Sequence, residues 1–288
     1  MSDTNNSEHW DLTIGAERGL FDLNLKDVWR YRDLLFLLVK RDITTVYKQT
    51  VLGPLWFFIQ PLFTSVIFTL IFNNIANIQT GGIPPLLFNL AGITAWNYFT
   101  ACLTGTASTF ISNQNLFGKV YFPRIIMPMS ITISNLLKFG IQLLIFFSFY
   151  IYYVLNGVSI VPNLNLVLFP VYVLIMAFFG LGLGMIISAL TTKYRDLNIL
   201  VGFGVSLLMY VSAVPYSLSE IKQSGSRYLF IIEYNPLTHI IEGFRYMFLN
   251  TGIFTWSGFL YTFLISIIVF VLGIVYFNKT EKNFIDII

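Results

Sequence analysis

The sequence predicts an all-α polytopic membrane protein with six transmembrane helices. First, 56% of its 288 residues are hydrophobic and only 11% are charged, whereas soluble domains carry roughly 25% charged residues. Second, six long apolar segments alternate with shorter polar stretches. Third, these segments contain one charged residue, Lys138, and no Asp or Glu. A chain of this length fits one compact helical bundle.

The N-terminal region divides into two parts. Residues 1–22 are polar and acidic and lack a basic start or an apolar core, which predicts a flexible tail rather than a signal peptide. Residues 23–54 predict an amphipathic helix on the cytoplasmic membrane surface and a linker. Asn24 with Asp27 resembles a helix cap. This helix is either a surface anchor or a collar that also touches a cytoplasmic partner. Its apolar face would comprise Leu25, Val28, Trp29, Leu35, Phe36 and Val39.

The six predicted spans are long enough for a bilayer core of about 30 Å at about 1.5 Å per residue. Pro54 suits the first turn of the first span, and Pro61 should kink that helix. With both termini on one side, 13 of the 17 Lys and Arg residues lie on that side, which the positive-inside rule makes the cytoplasm. The spans are 55–72, 86–111, 131–154, 167–190, 198–214 and 259–277.

The segment 215–258 is too long for a hairpin loop and too apolar for a soluble domain. Asn235 followed by Pro236 predicts a helix start, and Asn250 with Gly252 predicts its end. A helix over 236–249 would be about 21 Å long, too short to cross. We therefore expect short re-entrant helices between spans five and six, on which Glu242 and Arg245 can form a pair.

Lys138 shares one helix face with Asn135 and Gln142, since they lie three residues before and four after it. Two interpretations are open. The three side chains line a substrate path in which Lys138 meets an anionic head group such as a pyrophosphate. Alternatively, Lys138 snorkels to the cytoplasmic interface.

Several function classes are disfavoured. Ion-coupled transporters usually need carboxylates at membrane depth, and the spans have none. The single Gly-Lys pair, Gly118-Lys119, lacks the first Gly and the Ser or Thr of a phosphate-binding P-loop. One cysteine, Cys102, and two separated histidines indicate no metal site. The energy for transport must therefore come from a partner.

Five short motifs follow one another in order and spacing over roughly residues 20–280. Together they resemble the permease subunit of type-2 ABC exporters of cell-surface polysaccharides: Wzm-like O-antigen exporters and their KpsM-like capsule and TagG-like teichoic acid relatives. The motifs are Leu52-Gly53-Pro54-Leu55-Trp56 with Gln60-Pro61-Leu62, Lys119-Val120-Tyr121-Phe122-Pro123-Arg124 with Met127-Pro128, Tyr194-Arg195-Asp196-Leu197, Tyr234-Asn235-Pro236-Leu237, and Glu242-Gly243-Phe244-Arg245.

The resemblance implies a six-helix exporter domain over 55–288, in the bacterial inner membrane, that forms a homodimer. Each copy would dock on a Wzt-like ATPase subunit that binds ATP and Mg²⁺, and this chain would hold no cofactor and have no catalytic residue. Its cargo would be a polysaccharide linked to undecaprenyl diphosphate, with O-antigen first, and no nucleic acid is expected. Coupling residues would be Lys119, Tyr121, Arg124, Tyr194, Arg195 and Asp196, and periplasmic gate residues would be Tyr234, Asn235, Pro236, Glu242 and Arg245.

Three alternatives to O-antigen export remain at this point. The chain resembles capsule and teichoic acid exporters by the same motifs. A type-2 permease for a drug or small lipid would share the helix count. A membrane enzyme is a third alternative, because His239 and Glu242 are spaced to meet as an acid and base, although no further acidic residue or histidine supports that chemistry.

Overall fold

The computed structural model describes residues 25–48, 53–117, 122–194, 196–223, 225 and 227–287. The predicted tail at 1–22 and part of the linker after it lie outside these residues. Every regular element in the described ranges is a helix. The helices are α1 (Leu25–Arg30), α2 (Arg32–Lys48), α3 (Trp56–Phe68, continued as a π-helix over Thr69–Ile75), α4 (Pro85–Ala107), α5 (Thr109–Ser112), α6 (Gln114–Phe117), α7 (Ile126–Leu155), α8 (Phe169–Thr191), α9 (Leu197–Val211), α10 (Leu218–Gln223), α11 (Leu229–Glu233), α12 (Pro236–Leu249) and α13 (Trp256–Ile287).

Five helices are long and apolar enough to cross a membrane, and they coincide closely with five of the six predicted spans. They are Trp56–Ile75, Pro85–Ala107, Ile126–Leu155, Leu164–Thr191 and Trp256–Glu281. The predicted span at 198–214 corresponds to α9, which has 15 residues. At about 1.5 Å per residue α9 is about 22 Å long, less than a bilayer core of about 30 Å. The prediction of six spans is therefore confirmed for five.

The central helix of the bundle is α4, which lies against α3, α7, α8 and α12. Glycines allow α8 to approach its neighbours on two sides. A Cβ atom on Gly184 would lie 2.5 Å from the Cβ of Thr106 in α4, and one on Gly182 would lie 2.7 Å from the backbone of Phe270 in α13. Small residues let helix backbones approach closely where no hydrophobic effect drives association within lipid. The helices α4, α8 and α13 therefore form a closely packed row through the bundle. We call this row the spine.

Two clusters of buried apolar side chains close the two ends of the bundle. At one end, Leu38 of α2 packs in a cluster with Phe110, Ile126, Met185 and Phe277. We call this the α2 end. At the other, α12 joins a cluster with the first half of α4 and the second half of α7, including Phe88, Phe146, Phe244 and Phe248. We call this the α12 end. The helices that lie across the ends thus take part in the core.

The amphipathic character predicted for the first helix is present, with a narrower buried face. Val28, Leu35 and Val39 are buried as expected, and Leu38 joins them because α2 packs along α7. Trp29 and Phe36, which the prediction placed on the same face, are 71% and 64% exposed. The helix therefore has two apolar surfaces, one packed on the bundle and one uncovered.

Two long apolar surfaces on other helices are also uncovered within one chain. No residue of α9 is buried, and Ile199 and Phe203 are 78% and 63% exposed. On α3, Phe63 is 63% exposed and Leu70 is 51% exposed. Surfaces of this size require lipid or another protein surface as a neighbour.

Replacing Gly182 with Ala should destabilise the fold, because the added methyl group meets backbone atoms of Phe270 that cannot move independently. We expect a loss of about 1–3 kcal/mol in the free energy of unfolding, the range for overpacked sites. Thermal unfolding of the purified protein in detergent measures it. The control is Gly140→Ala in α7, where a Cβ has no neighbour within 4 Å. Equal melting temperatures for the two variants would contradict this account of the α8–α13 contact.

Candidate functional site

A polar groove lies between α2, α4 and α7 at the α2 end, with a volume of about 510 Å³. Two of the three residues of the predicted stripe, Asn135 and Lys138, are in its wall. Lys138 Nζ donates a hydrogen bond to Asn135 Oδ1 at 2.9 Å, and lies 5.8 Å from the centre of the Phe57 ring. The complete lining is Arg41, Asp42, Thr45, Ala101, Thr104, Gly105, Ile131, Ser134, Asn135 and Lys138.

The charges in this polar groove sum to a net positive value. Arg41 donates to Asp42 Oδ1 through Nε at 3.0 Å and Nη2 at 2.8 Å, so these two charges largely compensate each other. Among the described residues, Lys138 forms no ion pair with a carboxylate. Buried Ser134, also in the wall, has a hydroxyl oxygen without a hydrogen-bond partner. The groove thus offers a cation and a free hydroxyl.

A second cavity, of about 240 Å³, adjoins the polar groove and shares Asn135 and Lys138 with it. Gln142, the third residue of the predicted stripe, lines this inner cavity and accepts a hydrogen bond from Asn97 Nδ2 at 3.4 Å. The structure therefore brings the whole stripe to one continuous surface. Two further kinds of side chain that suit polar ligands line the inner cavity. The carboxamides are Gln60 and Asn97, and the aromatic rings are Phe57, Tyr98 and Phe139.

Lys138 points into the groove and away from the outer surface of the bundle. Its neighbours Leu136 and Leu137 occupy the outward face of α7 and are 42% and 52% exposed, whereas Asn135 is 4% exposed. The ammonium group lies on the side of α7 that faces α2, where it shares the groove with Asp42. Because the groove lies at the α2 end, this position fits both interpretations, a contact to substrate and a lysine whose ammonium group reaches the membrane interface.

At the α12 end, the fully buried side chain of Arg245 binds the backbone just after α9. Its Nη1 donates to the carbonyl oxygens of Ala213 at 2.8 Å and Tyr216 at 3.0 Å, and its Nη2 donates to that of Val214. The last carbonyls of a helix and the turn after it need such donors when they are buried. We call this set of contacts the carbonyl clamp. It lets α9 end inside the protein.

Three features hold Arg245 in position. Its guanidinium carbon lies 3.7 Å from the centre of the Phe88 ring. Its Nη1 also donates to Glu242 Oε1 at 3.2 Å, the pairing expected from the i, i+3 spacing. Gly92 leaves the space that the guanidinium fills, since a Cβ there would lie 2.5 Å from Nη2. The clamp is therefore built from α4 and α12 together.

Asn235 adds a second link between α9 and α12. Its side chain accepts a hydrogen bond from Leu237 N at 3.0 Å, as predicted for a helix cap. Its amide nitrogen donates to the Val211 carbonyl at 3.2 Å and to the Ser212 hydroxyl at 3.0 Å. The helix begins at Pro236 and ends at Leu249, as predicted, and Asn250 follows it in the left-handed region at φ 52°. One asparagine thus starts α12 and binds the end of α9.

The remaining predicted gate residue, Tyr234, differs from these, since its side chain is 70% exposed. Its carbonyl accepts a hydrogen bond from the Tyr261 hydroxyl at 2.8 Å. The predicted gate set therefore divides into a buried clamp and an exposed tyrosine beside it.

The acid–base pair considered for an enzyme is occupied by structural contacts. Glu242 is fully buried, and its Oε2 accepts from Ile253 N at 3.0 Å while its Oε1 binds Arg245. Burial raises the pKa of Glu242, and Arg245 and the Ile253 N–H oppose that rise. Burial lowers the pKa of His239, which favours a neutral ring. With no exposed surface on Glu242, this pair has no access to a substrate.

The predicted coupling loops are described in part. Lys119, Tyr121 and Arg195 lie outside the described residues. Arg124 is 8% exposed. Its Nη1 donates to the Glu281 carbonyl at 3.1 Å, and its Nε lies 3.9 Å from Glu281 Oε1. Arg124 therefore fixes its loop to the end of α13.

The other loop presents its described predicted residues to the surroundings. Tyr194 is 51% exposed and Asp196 is exposed. Both lie just before the first turn of α9. These two side chains are accessible to a partner, whereas Arg124 is largely covered by its own chain.

Sequence reasoning missed several residues of the polar groove. Arg41 and Asp42 lie about a hundred positions from Lys138 in the sequence, and only the packing of α2 along α7 brings them together. Ser134 adjoins Asn135, but a lone serine in a span carries no signal. The one available clue was the charged pair that follows the apolar part of α2.

Comparisons of the sequence match this chain to membrane transport proteins. A family model described as ABC-2 type transporter matches residues 33–249. The chain is 28% identical to the O-antigen export system permease protein RfbA of Klebsiella pneumoniae, over 89% of this chain and 95% of that protein. A protein of the same name from Myxococcus xanthus is 29% identical over 78% of this chain and 83% of its own. The capsule polysaccharide export inner-membrane protein CtrC of Neisseria meningitidis serogroup B is 20% identical over 88% of this chain and 92% of its own.

Replacing Arg245 with Met should strongly destabilise the protein, because three buried carbonyls and the Glu242 carboxylate lose their donor. We expect a loss of about 3–5 kcal/mol, typical of a buried ion pair with one partner removed. Thermal unfolding in detergent gives the comparison. Lys222→Gln is the matched control, since it breaks an ion pair with Glu233 in the same segment whose two side chains are each 38% exposed. That change should cost at most about 1 kcal/mol, and similar losses for both variants would contradict the clamp.

Proposed function

Because this chain belongs to the ABC-2 type transporter family, we propose that it forms the transmembrane channel of a bacterial polysaccharide exporter. The chain is the membrane subunit of such a transporter, and ATP hydrolysis belongs to a separate subunit. The proposed cargo is a polysaccharide linked to undecaprenyl diphosphate, with O-antigen first. The observation that carries this choice is the similarity to O-antigen permeases, at 28% identity over 95% of the length of one of them. The similarity to a capsule permease is weaker, at 20%.

We further propose that the protein lies in the inner membrane with the α2 end in the cytoplasm. The basic residues before the first span and at the cytoplasmic loops support this orientation. The exposed Trp29 and Phe36 would lie in the membrane interface. In this arrangement α9 is the fifth of six spans, and α10 to α12 are re-entrant. The carbonyl clamp supports this arrangement, since non-helical backbone at membrane depth is tolerated where protein buries it.

The uncovered surfaces of α3 and α9 support a homodimer. A second copy of the chain could cover the exposed apolar side chains of α9, none of which is buried in one chain. The two copies would then enclose a channel between them. A homodimer is also what the resemblance to polysaccharide exporters implies.

An ATPase subunit of the Wzt-like kind would bind ATP and Mg²⁺ and dock at the α2 end. The loops 113–130 and 191–198 are the proposed docking sites. Tyr194 and Asp196 would contact the partner directly, while Arg124 would position its loop through Glu281. The resemblance implied that Arg124 is itself a coupling residue. We propose instead that Arg124 acts by holding its loop in place, because its side chain is largely covered.

The function is tested by export. The chain is expressed with an ATPase subunit with which it co-purifies, in cells that lack their own O-antigen permease but still synthesise the lipid-linked glycan. We expect this expression to restore surface glycan. We expect no restoration when the P-loop lysine of the ATPase is replaced. Failure to restore export with both subunits present and associated would contradict the proposed cargo. Efflux of small hydrophobic dyes without glycan export would favour a drug or lipid permease.

Reversing the charge of Asp196 should weaken coupling between the subunits without harming the fold. In Asp196→Lys, we expect the ATPase activity of the purified complex to fall several-fold toward that of the isolated ATPase, with an unchanged melting temperature. Glu220→Lys makes the same change at the α12 end, away from the proposed docking surface, and should leave ATPase activity intact. If both variants keep full activity, Asp196 is not part of the docking surface.

A further inference from the structure

We propose that the polar groove binds the phosphate group of an amphiphilic ligand, with Lys138 as its main contact. The cation and the hydrogen-bond donors of the groove suit a phosphate or diphosphate ester. That this ester is the head group of the transported lipid-linked glycan rests on the proposed function. The site itself rests on the charge, the free donors, the space and the position of the groove.

Lys138 has no ion-pair partner in the part of the chain that the structure describes. It is half-buried in a predominantly apolar helix. Asp42 is the acidic residue in the groove, and it accepts two hydrogen bonds from Arg41. A cation inside a membrane protein is costly unless it is paired or functional. An anionic ligand would supply the missing partner.

Donors for phosphate oxygens remain available in the groove. Lys138 uses one of its three N–H groups on Asn135. The hydroxyl of Ser134, a residue 1% exposed, has no partner. The other hydroxyls are engaged, since Thr45 donates to the Arg41 carbonyl at 2.8 Å and Thr104 to the Thr100 carbonyl at 2.8 Å. Lys138, Ser134 and the N–H groups of Arg41 that do not bind Asp42 are therefore donors that a phosphate could use.

The groove also has room, and α2, one of the helices that bound it, carries exposed apolar side chains. Its volume of about 510 Å³ is in the range of small-molecule sites, about 300–1,000 Å³. It is bounded by α2, whose Phe36 and Leu37 are 64% and 62% exposed. An apolar tail could thus lie along the uncovered side of α2 while its head group entered the groove. This combination favours an amphiphile over a soluble phosphate.

Binding to the purified full-length protein in nanodiscs of zwitterionic lipid tests the proposal. The probes are farnesyl diphosphate, farnesol and inorganic pyrophosphate. Farnesyl diphosphate should bind, farnesol should bind weakly, and Lys138→Gln should reduce the affinity for farnesyl diphosphate by about tenfold, the loss of about 1.4 kcal/mol. Lys138→Arg keeps the charge and should stay within about twofold of the unmodified protein.

Two further variants distinguish a direct contact with the phosphate from a general effect of lost positive charge. Lys40→Gln removes the same charge from an exposed neighbour of Arg41 that does not line the groove, and it should leave the affinity unchanged. Ser134→Ala should weaken binding by about threefold, because one donor is lost. Ser134→Ala also provides an independent test if Lys138→Gln does not fold. Unchanged affinity in Lys138→Gln, or in Ser134→Ala in that case, would overturn the site.

The source of the phosphate is decided by competition. Inorganic pyrophosphate that binds as tightly as farnesyl diphosphate would assign the groove to a soluble anion and overturn the head-group assignment. Displacement of the probe by phosphatidylglycerol in the nanodisc would make it a site for bilayer lipid, with the same consequence. The export assay is separate. Intact export with no probe binding overturns the site alone, whereas probe binding without glycan export overturns the function alone.

Discussion

The hydrogen bonds from Arg245 to the backbone after α9 are the contacts on which the α12 end depends. A helix of 15 residues that ends inside the protein leaves several carbonyls without partners. Beyond the helix end, the Arg245 guanidinium binds the carbonyls of Ala213, Val214 and Tyr216 in the turn that follows. Its planar fork of donors suits this task better than the ammonium group of a lysine would. Glu242 then compensates the buried charge. The short helix α9 and the buried turn after it exist because α12 carries this arginine.

The clamp also explains why α12 is part of the core. Arg245 stacks on Phe88 and fills the space left by Gly92, so α12 is held against the first half of α4. Because α4 in turn packs on α8 across glycine contacts, the clamp is continuous with the spine of the bundle. The surfaces of α3 and α9 are left on the outside of that spine. A second subunit can therefore meet α9 without disturbing the contacts that hold the chain together.

Within the six predicted spans, Lys138 is the one charged residue. Lys138 faces the groove at the α2 end, close to the loops where an ATPase would dock. Arg124 binds the end of α13 and so connects one of these loops to the spine. Force applied at the loops would reach the helices through such contacts. This arrangement is consistent with a permease that depends on its partner for energy.

The sequence alone determined the membrane class, five spans, the cap at Asn235 and the bounds of α12, because these depend on local composition and on caps within a few residues. It also identified Lys138 and the Glu242–Arg245 pair from helical spacing. Only the tertiary structure decided what those residues contact. Arg245 binds carbonyls about thirty residues away, and Arg124 binds Glu281 far along the chain. Arg41 lines the same groove as Lys138 because α2 packs along α7. Such contacts depend on how helices are arranged in space, which no local pattern records.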